Sequence, residues 1–223
     1  EMLGQALNSV WPESVGYVLY VDVAQLAKIS DELDRDLYVV APPGSFVHYR
    51  SPLVRLAGEI DDRQASRLRR AFQVGTERSF AQDPIFGLTV LSEIASRALS
   101  PGINDPGTAI DVIGRVERLL LDYDRARAGG DDDPAFGRLF VPTLSLKDAF
   151  NCVYNPIARD GAGLAEVQLR LQTSLAALAE SGNPEFIALA TLHSTLALER
   201  AAAAGMSQPD LEALRAAAFA AAT

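Results

Sequence analysis

Positive charge, sulfur and long apolar runs are all scarce in this sequence. It has one cysteine, Cys152, so no internal disulfide forms. Its two histidines, His48 and His193, lie far apart in the chain. A zinc site would have to draw its other ligands from carboxylates, and none cluster at ligand spacing. We therefore expect neither a metal nor a bound cofactor. No stretch approaches the roughly 20 apolar residues of a membrane-spanning helix. The first residues lack the basic region and apolar core of a signal peptide. The chain opens on Glu1 rather than methionine, which suggests a piece of something longer. Lysine and arginine total 20 against 29 acidic residues, a formal net charge of -9. Such a surface repels phosphate backbones, so no nucleic-acid partner is expected. It also argues weakly against adsorption of the whole chain to anionic lipid. There is no Walker loop, no dinucleotide-binding glycine fingerprint and no nucleophile elbow. No catalytic residue is identified.

What remains is an ordinary globular composition, 48% hydrophobic and 22% charged, in 223 residues. That length forms one large domain or two small ones without staples. The expected fold class is α+β, mainly α. A small mixed α/β unit over residues 1–60 precedes a helical bundle over 61–223, with one continuous domain as the alternative. Residues 17–21 are β-branched and aromatic and read as a strand. Asp22 with Gln25 three residues on is a capping-box pattern, opening a helix to about residue 33. Further strands are expected at 37–41, 46–49 and 53–56, with a Pro42-Pro43-Gly44 turn between the first two. Residues 1–15 show no clear period. A helix is expected over 61–74.

Three times an N-cap residue stands directly before proline: Asp83-Pro84, Asp105-Pro106 and Asn183-Pro184. The side chain accepts a bond from a free backbone N–H, and proline has no N–H to leave unpaired. Ser145 with Asp148, and Ser207 with Asp210, are further capping pairs. Helices are thus predicted over 84–99, 106–128, 145–159, 163–181, 184–204 and 208–222. The acidic linker 129–137 lacks the ligand alternation and closing glutamate of a calcium loop. Residues 138–141 form a short strand that joins the first sheet. The alanine-rich last helices reflect helix propensity and close packing. His193 falls on one face with Phe186, Leu189, Ala190 and Leu196 and reads as a packed side chain. Cys152 sits in an apolar helical run and reads as an inert thiol.

The segment from 82 to 108 carries the candidate site. On the helix from 84, Thr89, Ser92, Glu93, Ser96, Arg97 and Ser100 recur at steps of three and four and form one stripe. Leu88, Leu91, Ile94, Ala95 and Ala98 form the opposite side. Glu93 and Arg97 are spaced to pair across a turn. Small hydroxyls around one acid and one base suit an interface or a lined groove better than bulk water. The turn that follows sets Asn104, Asp105 and Thr108 at a helix N-terminus, where Asp105 caps in preference to any anion. Asp111 and Arg115 repeat the spacing of Glu93 and Arg97. With Gln82 and Asp83, these ligand-binding or interface candidates are Gln82, Asp83, Ser92, Glu93, Ser96, Arg97, Ser100, Asn104, Asp105 and Thr108.

The runs Gln82-Asp83-Pro84-Ile85-Phe86-Gly87-Leu88 and Glu93-Ile94-Ala95-Ser96-Arg97-Ala98-Leu99-Ser100-Pro101-Gly102-Ile103-Asn104-Asp105-Pro106-Gly107-Thr108-Ala109 resemble the signature of domain-of-unknown-function family 2254. Residues 16–22 and 43–53 also follow its pattern, although Arg50-Ser51 replaces a glycine-containing turn. The resemblance covers about residues 14–160. It implies a soluble part of a bacterial multi-pass membrane protein, preceded by membrane spans of the same full-length chain. An even number of spans would leave the domain cytoplasmic. The Pro-Gly…Pro-Leu rhythm also resembles half of a lipoyl-like barrel, but neither Lys28 nor Lys147 sits at a hairpin tip. The first expectation is a non-enzymatic assembly or regulatory domain, homo-oligomeric, of a channel- or transporter-like protein. The alternative is a small polar or anionic ligand site, or a carboxylate enzyme, built on Glu93, Arg97, Asn104 and Asp105. There Arg97 would hold an anion and Glu93 or Asp105 would act as base.

Overall fold

The computed structural model describes residues 7–128 and 137–218. The chain divides into two compact units, one of residues 1–86 with 131–144, the other of residues 87–130 with 145–223. Each is considered by itself. The architecture is α+β and mainly α, a mixed α/β part followed by helices.

The first unit holds two sheets. One has the order β1 (Leu7–Val10), β5 (Val54–Ala57), β3 (Leu37–Val39), β7 (Leu139–Phe140). Its first three strands are antiparallel, and β7 adds in parallel with Leu37 opposite Leu139. The strand expected at 138–141 therefore forms and joins this sheet. The other sheet has the order β4 (Phe46–Val47), β2 (Gly16–Val21), β6 (Phe72–Gly75), all antiparallel. Helix α1 (Val23–Leu33) opens where Asp22 accepts from the Gln25 N–H at 2.9 Å. It closes on Asp34, whose φ of 50° is the left-handed cap geometry. Helix α2 (Asp62–Arg69) opens on a full Asp61–Gln64 capping box.

Two expectations fail here. The helix expected through residue 74 stops at Arg69, because Phe72, Gln73 and Val74 pair with β2. Alternation of a buried Phe72 with an exposed Gln73 is the period-2 signal a helix reading passes over. Residues 7–10, thought patternless, form β1 by pairing with β5 from Leu7↔Ala57 to Val10↔Val54. Aliphatic side chains from both sheets and both helices form one core, including Val18, Leu26, Ile29, Leu37, Leu56 and Leu68. Each such buried side chain contributes about 1.5–3 kcal/mol.

Helix α3 (Pro84–Ala98) contains the division between the units, at Phe86 and Gly87. The second unit continues with α4 (Pro106–Ala128), α5 (Leu146–Asp160), α6 (Ala165–Ala179), α7 (Pro184–Ala203) and α8 (Gln208–Ala217). Helix α6 packs against α4, α5, α7 and α8. Ala190, Ala197 and Ala201 on α7 are fully buried, so small side chains let the backbones approach. Every expected cap forms: Asn183 accepts from Glu185 N–H, Ser145 from Asp148 N–H and Ser207 from Asp210 N–H. Most of the 129–137 linker and the end of the last expected helix lie outside the described residues.

Candidate functional site

Gln82 and Asp83 belong to the α/β unit and bind the chain to itself. The Gln82 side chain accepts from the Val21 N–H at 2.9 Å and donates to the Val21 carbonyl at 3.4 Å, so it continues the edge of β2. Asp83 is buried. One carboxylate oxygen accepts from the Phe86 N–H at 2.9 Å, capping α3. The other takes Arg78, at 2.8 Å from Nε and 2.7 Å from Nη2. The Arg78 guanidinium lies 4.9 Å from the centre of the Phe86 ring, which stacks on Phe80 at 4.5 Å. On its other side the Asp83 carboxylate fills the space a Cβ on Gly44 would need, and Gly44 has φ of 88°. Only glycine meets both conditions at that turn. Arg78 was not identified from sequence, and Gly44 only as part of the Pro42-Pro43-Gly44 turn. An Asp–Pro with an arginine five residues upstream was the available signal.

The remaining candidates lie in the helical unit. Ser92 is buried and shares the inner face of α3 with Leu88, Ala95 and Ala98. Ile94, expected on that face, is 46% exposed. Glu93 and Arg97 are exposed, and among the described residues no ion pair within 4 Å joins them. The stripe is therefore two things: an inner edge of small hydroxyls that pack, and an outer edge of charge. Ser96 lies near Asp160, at the end of α5. Arg159, the larger influence, and then Ser96 hold the Asp160 carboxyl below its ordinary range.

Ser100, Asn104, Asp105 and Thr108 build the turn between α3 and α4. The Ser100 hydroxyl donates to the Arg97 carbonyl at 2.7 Å. Asn104 adopts φ of 50°, and its N–H reaches the Ser100 carbonyl at 2.9 Å. The Asp105 N–H returns to the Ala98 carbonyl at 2.8 Å. The Asp105 carboxylate accepts from the Thr108 hydroxyl at 2.6 Å and the Thr108 N–H at 3.2 Å. The Thr108 hydroxyl bond, above all, holds Asp105 below the usual carboxylate range. A carboxylate so engaged caps a helix and is a weak general base. Among the described residues no hydrogen bond or ion pair ties Glu93 or Arg97 to Asn104 or Asp105. A groove of about 420 Å³ in this unit lies at the other end of α4, lined by Asp124, Arg127, Asn183 and Glu185.

Sequence reasoning passed over the polar interior of this unit. The Tyr154 hydroxyl and the Ser174 hydroxyl share a bond of 3.1 Å. Ser194 donates to Gln172 at 2.6 Å, and Gln172 donates back to the Ser194 carbonyl at 3.2 Å. Arg170 Nη2 lies 2.8 Å from Glu117 Oε2, an ion contact that is not aligned as a hydrogen bond. His193 packs against the Phe150 and Tyr154 rings, and its Nε2 has no partner. Burial first, and Arg200 second, push its pKa down to about 4. The packed histidine expected on α7 is thus buried, with Phe186 and Ala190 on the same face. Cys152 is half-buried and donates to the Ala149 carbonyl.

Fold and site define a two-unit α+β protein in which the signature segment caps helices and presents an outer charged edge. The chain belongs to the family described as Predicted membrane protein (DUF2254), whose model matches residues 2–177. Uncharacterized proteins of Mycobacterium bovis and of Mycobacterium tuberculosis strains CDC 1551 and H37Rv are each 44% identical over 72 residues. Those matches take in 28% of this chain and 14% of each relative. No solved structure matches. Among the described residues no helix is long and apolar enough to cross a membrane.

Proposed function

We propose that this chain is a non-enzymatic assembly or regulatory domain of a bacterial channel- or transporter-like membrane protein, and that its helical unit self-associates through the outer face of α3. The observation that carries this reading is the exposure of Ile94 between two unjoined opposite charges, Glu93 and Arg97. Such a face is self-complementary. In a two-fold contact, Glu93 of one copy meets Arg97 of the other while Ile94 is covered. Family membership supplies the membrane context. A disulfide-free chain suits a reducing compartment, so this reading puts the domain on the cytoplasmic side.

Light scattering after size exclusion, over a range of concentrations, tests it. We expect a mass that is a multiple of 23.9 kDa. Arg97→Glu shifts the species to monomer while the circular dichroism of the folded chain is kept. Adding Glu93→Arg restores the oligomer. A monomer at every concentration, or an oligomer indifferent to Arg97→Glu, overturns the reading.

A further inference from the structure

A second surface lies in the α/β unit and involves none of the α3 residues. Val10 pairs with Val54 in one sheet, and Gly16 pairs with Val47 in the other. The loop 11–15 runs from Val10 to Gly16, and the loop 48–53 runs from Val47 to Val54. Both loops therefore bridge the same two registered pairs and must lie side by side. The Leu53 N–H bond to the Val10 carbonyl, at 2.8 Å, ties their ends.

These two loops and the end of β4 expose aromatic and aliphatic side chains together. Tyr49 is 66% exposed, Phe46 57%, Val15 43% and Trp11 42%. Exposed apolar groups gathered at one end of a unit mark a contact surface rather than scatter. The charge around them runs against the rest of the chain. Residues 37–58 contain His48, Arg50 and Arg55 and no aspartate or glutamate, in a chain of net charge -9. Beside Glu13 and Ser14 a groove of about 240 Å³ is walled by Leu53, Arg69, Arg70 and Phe72. Glu13 is taken up by Arg69 at 2.6 Å, while Arg70 is exposed.

We propose that this end of the α/β unit docks on a bilayer surface bearing anionic headgroups. Tryptophan and tyrosine favour the level of the headgroups, where an apolar ring and a polar edge are both accommodated. Arginines flanking them are drawn to anionic lipid. The match is of charge as well as of apolarity: the patch exposes Arg50, Arg55 and Arg70 toward a negative surface, and its one acid, Glu13, is paired with Arg69. A patch of this composition is poorly suited to covering by a second copy, because two such ends would bring Arg50 and Arg70 against their own counterparts.

Trp11 is the chain's one tryptophan, so its emission reports on the patch directly. The test titrates the 223-residue chain with vesicles of phosphatidylcholine alone and of equimolar phosphatidylcholine and phosphatidylglycerol. Co-sedimentation and Trp11 emission are followed, with brominated lipid as quencher. We expect binding to the phosphatidylglycerol vesicles that weakens with salt, with Trp11 shifted to the blue and quenched. Tyr49→Ser and Arg50→Glu each lower the partition constant by roughly tenfold or more. Both side chains are exposed, so their variants keep the wild-type melting temperature. Absence of binding overturns the proposal, and so does binding with Trp11 unmoved, which would mean another face is used. A blue shift that depends on protein concentration without vesicles also overturns it in favour of a second copy.

Discussion

Among the described residues the α/β unit buries Ser30 and Asp83 as polar side chains, and the helical unit buries Ser92, Gln168, Gln172, Ser174, His193 and Ser194. The difference follows from how each architecture satisfies its backbone. Sheet strands bond their amides in the plane of the ladder, so an aliphatic core suffices, and polar groups enter only where the chain turns. Ser30 binds the Arg35 carbonyl after α1, and Asp83 caps α3. Helices leave terminal carbonyls open, and buried ones must be met by side chains. Gln168 does this by donating to Ala158 and Gly161 carbonyls, each at 3.1 Å. Among the described residues one unit therefore has a single charged lock with a buried carboxylate, and the other a distributed polar interior with a titratable member.

The largest expected effect breaks the lock. Asp83→Ala leaves Arg78 without its partner, the Phe86 N–H uncapped and a void against Gly44. Removing one member of a largely buried pair costs about 3–5 kcal/mol. Denaturant unfolding followed by Trp11 emission would show it, and Asp83→Asn would lose less because it still caps. A loss below about 1 kcal/mol would mean the lock is ornamental and the unit rests on its apolar core alone.

The next effect belongs to the helical unit and is a pH dependence. His193 has a folded pKa near 4 against an ordinary 6.5. The folded state thus prefers the neutral ring. Its contribution is complete above pH 6.5 and is lost as pH falls toward 4, about 3 kcal/mol in all. Helical circular dichroism should fall through this window before Trp11 emission changes, since most of the helical residues belong to the helical unit and Trp11 to the other. His193→Leu should flatten the stability profile there. Equal pH dependence in wild type and variant would remove the contrast between the units.

The elements marked by short side-chain rules were legible in advance. Asp83, Asp105 and Asn183, each before proline, all cap helices, because the pattern is local and does not depend on tertiary partners. The strand at 138–141 was legible from its composition. What failed needed partners distant in sequence. Residues 7–10 become a strand only against 54–57, and residues 72–75 leave the helix only because β2 offers a free edge. On α3 the stripe was sorted by polarity, whereas packing sorts by size. Ser92 is small enough for the inside, and Ile94 is left outside. The polar interior around Tyr154 and His193 was illegible because its members come from four helices and share no motif.

Smaller effects refine the comparison. Asn183 accepts from the Glu185 N–H and donates to Asp124 on α4, so it joins a cap to a bond between helices. Asn183→Ala should cost about 1–2 kcal/mol in thermal or denaturant melting, more than a cap on a free helix end. Least of all is expected at Asp111 and Arg115. They pair at 2.6 Å four residues apart, but their side chains are 61% and 58% exposed. Water screens the charges, and two long side chains must be held still, so Asp111→Ala should change stability by less than about 0.5 kcal/mol. The same reasoning bears on Glu93 and Arg97, which have the same spacing and leave it unused. An exposed pair on one helix offers so little that keeping the two charges apart loses almost nothing in the monomer. In the proposed contact with a second copy, water would be excluded and the same charges would interact more strongly. If Asp111→Ala instead proved as damaging as Asn183→Ala, exposed pairs on these helices would matter within one chain. The open state of Glu93 and Arg97 would then carry a real penalty, which the proposed assembly would have to offset.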